Sequence, residues 1–354
     1  MPVWPKPAHG PIHTLRRLRW RLYALSLRET GVAQGIHIDP QASDVAPPSS
    51  AGWSRVQWRA AQSNAMARFA DGLRPLGGGD VRDGVIQDLA TYYKMPADQV
   101  VHHCLHWEEE SVAEWKAAAS SLADFYNSVT SWSFDLLWFS YLQAAGYTYP
   151  QHVVIADQLP LTPGSRVLDF GSGVGVSSQL FAALGHHVEL ADISEPLLSF
   201  ARWRLERRGV TARYNLLPAE LPSRTYDLIT AVDTFAHVPD ADETARQLYA
   251  AVRLGGYVVT NFDVRPKSDA NSWHLYEDDL QLRWALERNG FVQTRLIDGN
   301  LRVYQARPMS GARWLLHRTW AWCHLASAPR RGLRASRRSA LRLLVQGIRL
   351  ARRR

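Results

Sequence analysis

The chain has 354 residues, is 46% hydrophobic, contains two cysteines and carries a formal net charge of +8. A chain of this length and apolar content can hold one large or two moderate domains, and we expect it to be globular for most of its length. Its first residues, MPVWPKPAHGP, carry prolines instead of an apolar leader, and no run of 18 uncharged apolar residues occurs, so neither a secretory signal nor a membrane span is expected.

The positive charge is concentrated at the two ends of the chain. Residues 1–36 carry a net charge of +5 and residues 309–354 carry +12, which leaves −9 for residues 37–308. Both ends have the pattern of basic amphipathic helices. The apolar faces comprise Leu341, Leu344, Val345 and Ile348 in the tail and Leu15, Leu18, Leu22 and Leu25 near the start. With Trp314, Trp320 and Trp322 upstream of the tail helix, such segments suit an anionic membrane surface or nucleic acid. The alternative is that they pack on the acidic body or form a solubilising tail.

The N-terminal half is predicted to contain turn-rich linkers followed by helices. Residues 38–55 and 73–80 are rich in Pro, Gly and Ser, and helices are expected over residues 83–93, 96–112 and 120–145. The last of these is dense in aromatic residues, which at helical spacing favour a core role over stacking on a ligand. The cluster of His102, His103 and His106 beside Glu108–Glu110 favours a solvated helical face, so no metal site is predicted.

A glycine-rich turn follows the next predicted strand, residues 166–170. The turn carries Gly171, Gly173 and Gly175 and leads into a helix over residues 176–184. A dinucleotide fingerprint would read Gly-x-Gly-x-x-Gly, whereas here the third glycine comes one residue early and Asp169 precedes the turn. Glycines before a helix N-terminus predict a pocket for a nucleotide-like cofactor.

The remaining elements alternate between strand and helix. Strands are predicted at residues 187–192, 212–215, 226–232 and 257–262, with helices at 195–208, 241–253 and 277–289 and a glycine turn at Gly255-Gly256. Two last strands, residues 291–297 and 301–306, flank Asp298-Gly299-Asn300, which is a hairpin signal. The pattern predicts an α/β fold with a doubly wound, mostly parallel sheet closed by an antiparallel hairpin and preceded by a helical region.

Four ordered motifs now identify a resemblance. Residues 161–307 resemble a class I S-adenosylmethionine-dependent methyltransferase domain, a fold with a seven-stranded sheet. The motifs are LDFGSGVG, ELADIS, AELPSRTYDLITAVDTFAHVPD and LGGYVVTNFD. The resemblance implies S-adenosyl-L-methionine as the cofactor and divides the chain into a basic N-terminal segment (1–80), a helical cap (81–150), the catalytic domain (151–308) and an Arg-rich tail (309–354).

The resemblance also assigns roles around the cofactor. Asp169 would hold the methionine amino region through the glycine loop, the three glycines would let the loop wrap the methionine and ribose, and Asp192 would bind ribose hydroxyls. Asp233 and Thr234 would line the methyl-donor side. Relatives often carry an acid near the adenine amino group after the third strand. This chain has apolar residues there, so adenine is expected to rest on backbone groups, Ile193 and Leu217.

Three residues are candidates for removing a proton from the acceptor. His237 follows the fourth strand at the carboxyl edge of the sheet, where α/β proteins place their chemistry, although it could instead pack against or cap the next helix. Asp263 and His274 follow the fifth strand, and their alternative is a solvated loop.

Other chemistries lack their motifs. The sequence Asp233-Thr234-Phe235-Ala236 stands where enzymes of this class that methylate amino groups of adenine or side-chain amides usually carry an Asn/Asp-Pro-Pro-aromatic motif, and Cys104 and Cys323 form no Cys-x-x-Cys pair. We therefore expect a cytoplasmic methyltransferase acting at an oxygen of a small or medium acceptor, whether a natural product, a glycan or a lipid-linked molecule. A peripheral membrane contact would use the basic ends. The alternatives are an RNA methyltransferase, a non-catalytic cofactor-binding module and an NAD-dependent dehydrogenase.

Overall fold

The computed structural model describes residues 54–308 except 119–120, 267 and 269–270. The predicted basic helices near the N-terminus and in the tail, the tryptophans upstream of the tail helix, and Cys323 lie outside these residues. Among the described residues, no helix combines the length and apolarity needed to cross a bilayer.

A seven-stranded sheet forms the centre of the described region, with strand order β3-β2-β1-β4-β5-β7-β6. Strands β1 to β5 run parallel, and β7 pairs antiparallel with both β5 and β6. The strands are β1 (Arg166–Phe170), β2 (His187–Asp192), β3 (Ala212–Leu216), β4 (Tyr226–Ala231), β5 (Val252–Thr260), β6 (Phe291–Ile297) and β7 (Leu301–Ala306). The predicted fold class, including the closing hairpin, is confirmed.

Helices cover both faces of this sheet, because successive residues of each buried strand point to opposite sides. On β1, Val167 belongs to the apolar cluster that includes the N-terminal helices, whereas Leu168 belongs to the cluster on the other face. The helices of the sheet domain are α8 (Val176–Ala183), α9 (Glu195–Arg207), α10 (Ala241–Ala251) and α11 (Leu280–Arg288). Each face therefore has its own core.

The N-terminal helices form one layer against the sheet domain. They are α1 (Arg55–Ala61), α2 (Asn64–Leu73), α3 (Val81–Tyr93), α4 (Ala97–Ala117), α5 (Leu122–Ser128), α6 (Ser131–Ala144) and α7 (Gln151–Gln158). Helices α1 and α2 were not predicted, and each begins at a serine cap, Ser54 or Ser63. The single helix predicted over 120–145 is two helices. The carboxylate of Glu114 accepts hydrogen bonds from the N–H groups of Thr130 and Ser131 and so caps α6.

A buried ion pair joins this layer to the sheet domain. Asp88 of α3 is 3% exposed and accepts hydrogen bonds from Arg204 at 3.1 Å and from Arg208 at 2.5 Å, both at the C-terminal end of α9. Arg204 also donates to the Gly72 carbonyl at 3.1 Å. Because these charges are withdrawn from water, they fix how the helical layer sits on α9.

The boundary between α10 and β5 was predicted wrongly. The helix was predicted to continue to residue 253 and a glycine turn to separate it from the strand, but it ends at Ala251 and β5 begins at Val252. Val252 pairs with Tyr226, and the register then shifts before Leu228 pairs with Tyr257. Gly255, with φ of +86°, lies inside the strand at this irregularity.

Candidate functional site

The glycine loop lies between β1 and α8 at the carboxyl edge of the sheet. Gly171, Gly173 and Gly175 have φ angles of +71°, +51° and +73°, which residues with a Cβ rarely adopt. A Cβ on Gly171 would lie 2.4 Å from Thr234, and one on Gly173 would lie 2.7 Å from Leu136 of α6. The loop therefore requires glycine both for its conformation and for close approach by the β4 loop and the helical layer.

Asp169, near the end of β1, accepts hydrogen bonds from residues of α8 and β4. Its Oδ2 accepts hydrogen bonds from the Ser178 N–H and hydroxyl at 3.2 and 3.0 Å, and its Oδ1 accepts one from the Thr230 hydroxyl at 2.9 Å. Burial raises the pKa of this carboxyl to about 7, although the hydrogen bonds act in the opposite direction. Asp169 thus joins the first turn of α8 to β4.

Asp192 ends β2 beside the same loop. Its Oδ2 accepts a hydrogen bond from the Gly173 N–H at 2.8 Å and its Oδ1 accepts one from the Ser194 N–H at 2.9 Å. Burial raises the pKa of this carboxyl, and the backbone N–H donors oppose the shift. Each carboxylate oxygen has two lone pairs, so both can still accept a ligand hydroxyl.

The two apolar residues expected near adenine lie beyond Asp192. Ile193 is 39% exposed, whereas Leu217 is partly buried and its N–H donates to the Asp192 carbonyl at 2.8 Å. The structure therefore brings both residues to the edge that Asp192 and the glycine loop occupy.

Two buried hydroxyls near the loop test whether a nucleoside cofactor fits. Ser172 lies between two of the loop glycines and Ser177 in the first turn of α8. The hydroxyl of each is buried without a hydrogen-bond partner in the described part of the chain. Buried polar groups are normally paired, so two such hydroxyls at a helix N-terminus are consistent with a polar ligand. The residues present fit an adenosyl cofactor, which these groups and Asp192 would hold.

Asp233 lies in a buried polar network that the sequence did not reveal. Its backbone is strained, with φ of +54°, and its N–H donates to the Asn261 side-chain oxygen at 2.6 Å. Gln151 of α7 donates to Asp233 at 3.4 Å and also accepts a hydrogen bond from Gln143 of α6. The network joins the β4 loop, the end of β5 and the helical layer. Asn261 could have been suspected because it follows a strand adjacent to β4, but the two glutamines carry no comparable signal.

The three candidate bases meet at one place. His237 Nδ1 lies 3.1 Å from the Trp273 carbonyl and His274 Nδ1 lies 2.9 Å from the Asp263 carbonyl, and the two rings make an edge contact with centroids 4.5 Å apart. A carbonyl can only accept, so each Nδ1 carries the hydrogen and each Nε2 holds a lone pair. Burial lowers the pKa of His237, and burial together with His237 lowers that of His274 to about 3.

Asp263 and His274 are 5% and 3% exposed, so the alternative of a solvated loop is wrong. Asp263 pairs with the Arg265 guanidinium, whose Nε lies 3.1 Å from Oδ2. His237 does not cap the next helix either, because the Asp240 side chain caps α10. Of the three, His237 is the partly exposed one, and its neutral imidazole is suited to accept a proton.

Aromatic side chains form a wall beside His237. Trp132 of α6 lies 5.6 Å from the His237 ring and 6.0 Å from Trp273, measured between centroids. Phe125 of α5 stacks on Trp273 at 5.4 Å. The wall combines the helical layer with the loop after β5, so the space beside His237 has an apolar, aromatic boundary.

The site and the sheet topology together define the class of domain. Residues 153–296 match the sequence family described as "Methyltransferase domain". Over these residues the chain is therefore similar to methyltransferase domains.

Sequence relatives share less than half of their own length with the chain. The ubiquinone biosynthesis O-methyltransferase of Bordetella avium is 34% identical over 110 residues, which cover 30% of this chain and 46% of that protein. The protein of the same name from Aromatoleum aromaticum is 37% identical over 99 residues, covering 27% and 42%.

Solved structures share the methyltransferase region at lower identity. The phosphoethanolamine N-methyltransferase 2 of Haemonchus contortus, solved with S-adenosyl-L-methionine, is 22% identical with a TM-score of 0.37, covering 41% of this chain and 37% of that one. The geranyl diphosphate C-methyltransferase of Streptomyces coelicolor is 14% identical with a TM-score of 0.41, covering 47% and 78%.

Proposed function

We propose that the protein transfers a methyl group from S-adenosyl-L-methionine to an oxygen of a small or medium acceptor, with His237 as the proton acceptor. The observation that carries this proposal is the distance of 3.1 Å between His237 Nδ1 and the Trp273 carbonyl oxygen. Because a carbonyl accepts, Nδ1 carries the hydrogen and Nε2 keeps a lone pair. His237 lies beside Trp132, on the loop after β4 that also carries Thr234, and Thr234 contacts the glycine loop.

The reaction requires alignment and removal of one proton. The bound cofactor supplies an electrophilic methyl group on a sulfonium. The methyl group would go to the acceptor oxygen, and Nε2 of His237 would accept the proton that this oxygen loses. Asp169, Asp192 and the three loop glycines would hold the cofactor, with Ile193 and Leu217 beside adenine and Asp233 and Thr234 near the methyl donor. Asp263 would keep Arg265 and His274 in place and so act as a positioning residue.

The boundary of the site suggests the kind of acceptor. Trp132 is partly exposed beside His237, whereas Trp273 and Phe125 are buried behind it, and this aromatic surface favours an aromatic or lipid-linked acceptor over a glycan. The names of the curated relatives, ubiquinone biosynthesis O-methyltransferases, support oxygen as the methylated atom.

Two measurements test the proposal in sequence. Calorimetric titration should show binding of S-adenosylhomocysteine and none of NAD. Methyl transfer from labelled cofactor is then measured on a panel of phenols and prenylated phenols. His237→Gln should leave S-adenosylhomocysteine affinity unchanged and reduce kcat by about 10²- to 10⁴-fold. His103→Gln, which changes a partly exposed histidine paired with Glu110, is the control and should retain full activity. Full activity of His237→Gln would remove the proposed base.

A further inference from the structure

Tyr126 presents a buried hydroxyl that the fold does not use. The residue lies in α5 and is 4% exposed, and its hydroxyl has no hydrogen-bond partner among the residues described. The ring itself is held firmly, with centroids 5.7 Å from both Phe125 and Trp132. A hydroxyl that is withdrawn from water and left unpaired is costly, so the position of the hydroxyl decides whether a bound ligand could supply its partner.

The position of the hydroxyl indicates which ligand group it meets. The placement of α5 supplies the geometry, and the rise of the Tyr126 pKa, caused first by burial and then by the Asp192 carboxylate, agrees with it. Helix α5 packs against α9, which begins directly after the loop that holds Asp192. The next helix, α6, places Leu136 over Gly173, whose N–H is itself bonded to Asp192. Helices α5 and α6 therefore cover the corner formed by the glycine loop and the end of β2.

An unpaired buried hydroxyl is not by itself evidence of a ligand. Tyr304 of β7 is 0% exposed and its hydroxyl also lacks a partner among the described residues, but it lies in the core on the other face of the sheet. The charged groups that influence its pKa are Glu287, Arg302, Arg283 and Asp279, none of which belongs to the cofactor site. The distinguishing feature of Tyr126 is that its helix, α5, packs on α9 and, with α6, covers the glycine loop and the end of β2.

We propose that Tyr126 is a cofactor-binding residue whose hydroxyl donates a hydrogen bond to a ribose hydroxyl of the cofactor beside Asp192. The chemistry is complementary, because a ribose hydroxyl can accept from the phenol while it donates to the carboxylate. The inference rests on the proposed function, since it requires that the nucleoside binds over the glycine loop.

The test compares Tyr126→Phe with Tyr304→Phe as a matched control, both in the full chain. Each variant removes one buried, unpaired tyrosine hydroxyl and keeps the ring. Calorimetric titration should show S-adenosylhomocysteine binding about fivefold to tenfold more weakly to Tyr126→Phe than to the wild type, and with unchanged affinity to Tyr304→Phe. Because the hydroxyl is unpaired without ligand, the melting temperature of ligand-free Tyr126→Phe should be equal to or above that of the wild type.

A nucleoside probe locates the contact on the cofactor. 5′-Methylthioadenosine lacks the amino-acid part, so a contact to ribose predicts the same fold-loss for this probe as for S-adenosylhomocysteine. Unchanged affinity of Tyr126→Phe for S-adenosylhomocysteine would overturn the inference, and so would a loss confined to S-adenosylhomocysteine, which would place the hydroxyl on the amino-acid end. Failure of the wild type to bind S-adenosylhomocysteine at all would instead refute the proposed function.

Discussion

Replacing Asp88 by Asn should loosen the attachment of the helical layer to the sheet domain. The substitution keeps the side-chain volume but removes the carboxylate that pairs with two guanidinium groups, Arg204 at 0% and Arg208 at 6% side-chain exposure. Removing one partner of a buried ion pair costs about 3 to 5 kcal/mol because the remaining charge is left uncompensated. The Asn oxygen can still accept one hydrogen bond, so we expect a loss at the lower end, about 3 kcal/mol.

Denaturant unfolding of the full chain measures this change as the free energy of unfolding. The control is Glu243→Gln, which removes the carboxylate of an exposed pair with Arg246 and should leave the unfolding midpoint unchanged. If Asp88→Asn loses less than about 1 kcal/mol, the range found for exposed pairs, the buried pair does not hold the two layers together.

Three further outcomes are expected. Gly171→Ala should destabilise the protein more than Gly209→Ala does, because both glycines have positive φ but only at Gly171 would the Cβ meet another side chain, Thr234; denaturant unfolding measures the difference. The acidic limb of the pH profile of kcat/KM should lie below pH 6.5, since burial lowers the pKa of His237; a limb at or above 6.5 would contradict its assignment as the base. The folded-state pKa of Asp169, about 7, exceeds its ordinary value of 3.8, so the unfolded state releases this proton at lower pH than the folded state does. The wild type should therefore lose stability relative to Asp169→Asn as the pH rises from about 4 to 7. An equal difference in free energy of unfolding between the two proteins at about pH 4.5 and about pH 7.5 would exclude this.

Strand limits were predicted well where the chain itself marks them. Strands β2, β6 and β7 have the predicted bounds, because an apolar run ends in each case at a turn signal or an acid. The boundary between α10 and β5 was misplaced because the pairing of Val252 with Tyr226, 26 residues earlier, overrides the local helical pattern. Helix α1 was missed because its cap, Ser54, lies in a segment predicted as a linker (38–55), and α2 was missed because Ser63 was not recognised as a helix cap.

By itself, the sequence determined where a cofactor loop would lie and which family it resembled, since glycine spacing and the acids after strands are local features. Only the tertiary structure decided what those residues touch. In the folded protein, Asp169 accepts a hydrogen bond from the Ser178 N–H and Asp192 accepts one from the Gly173 N–H. His237, His274 and Asp263, which lie on separate loops, come together. The tertiary structure also packed α5, which carries Tyr126, against α9, which follows Asp192 in the chain. Such contacts depend on how the helical layer packs over the sheet, and no local pattern specifies that packing.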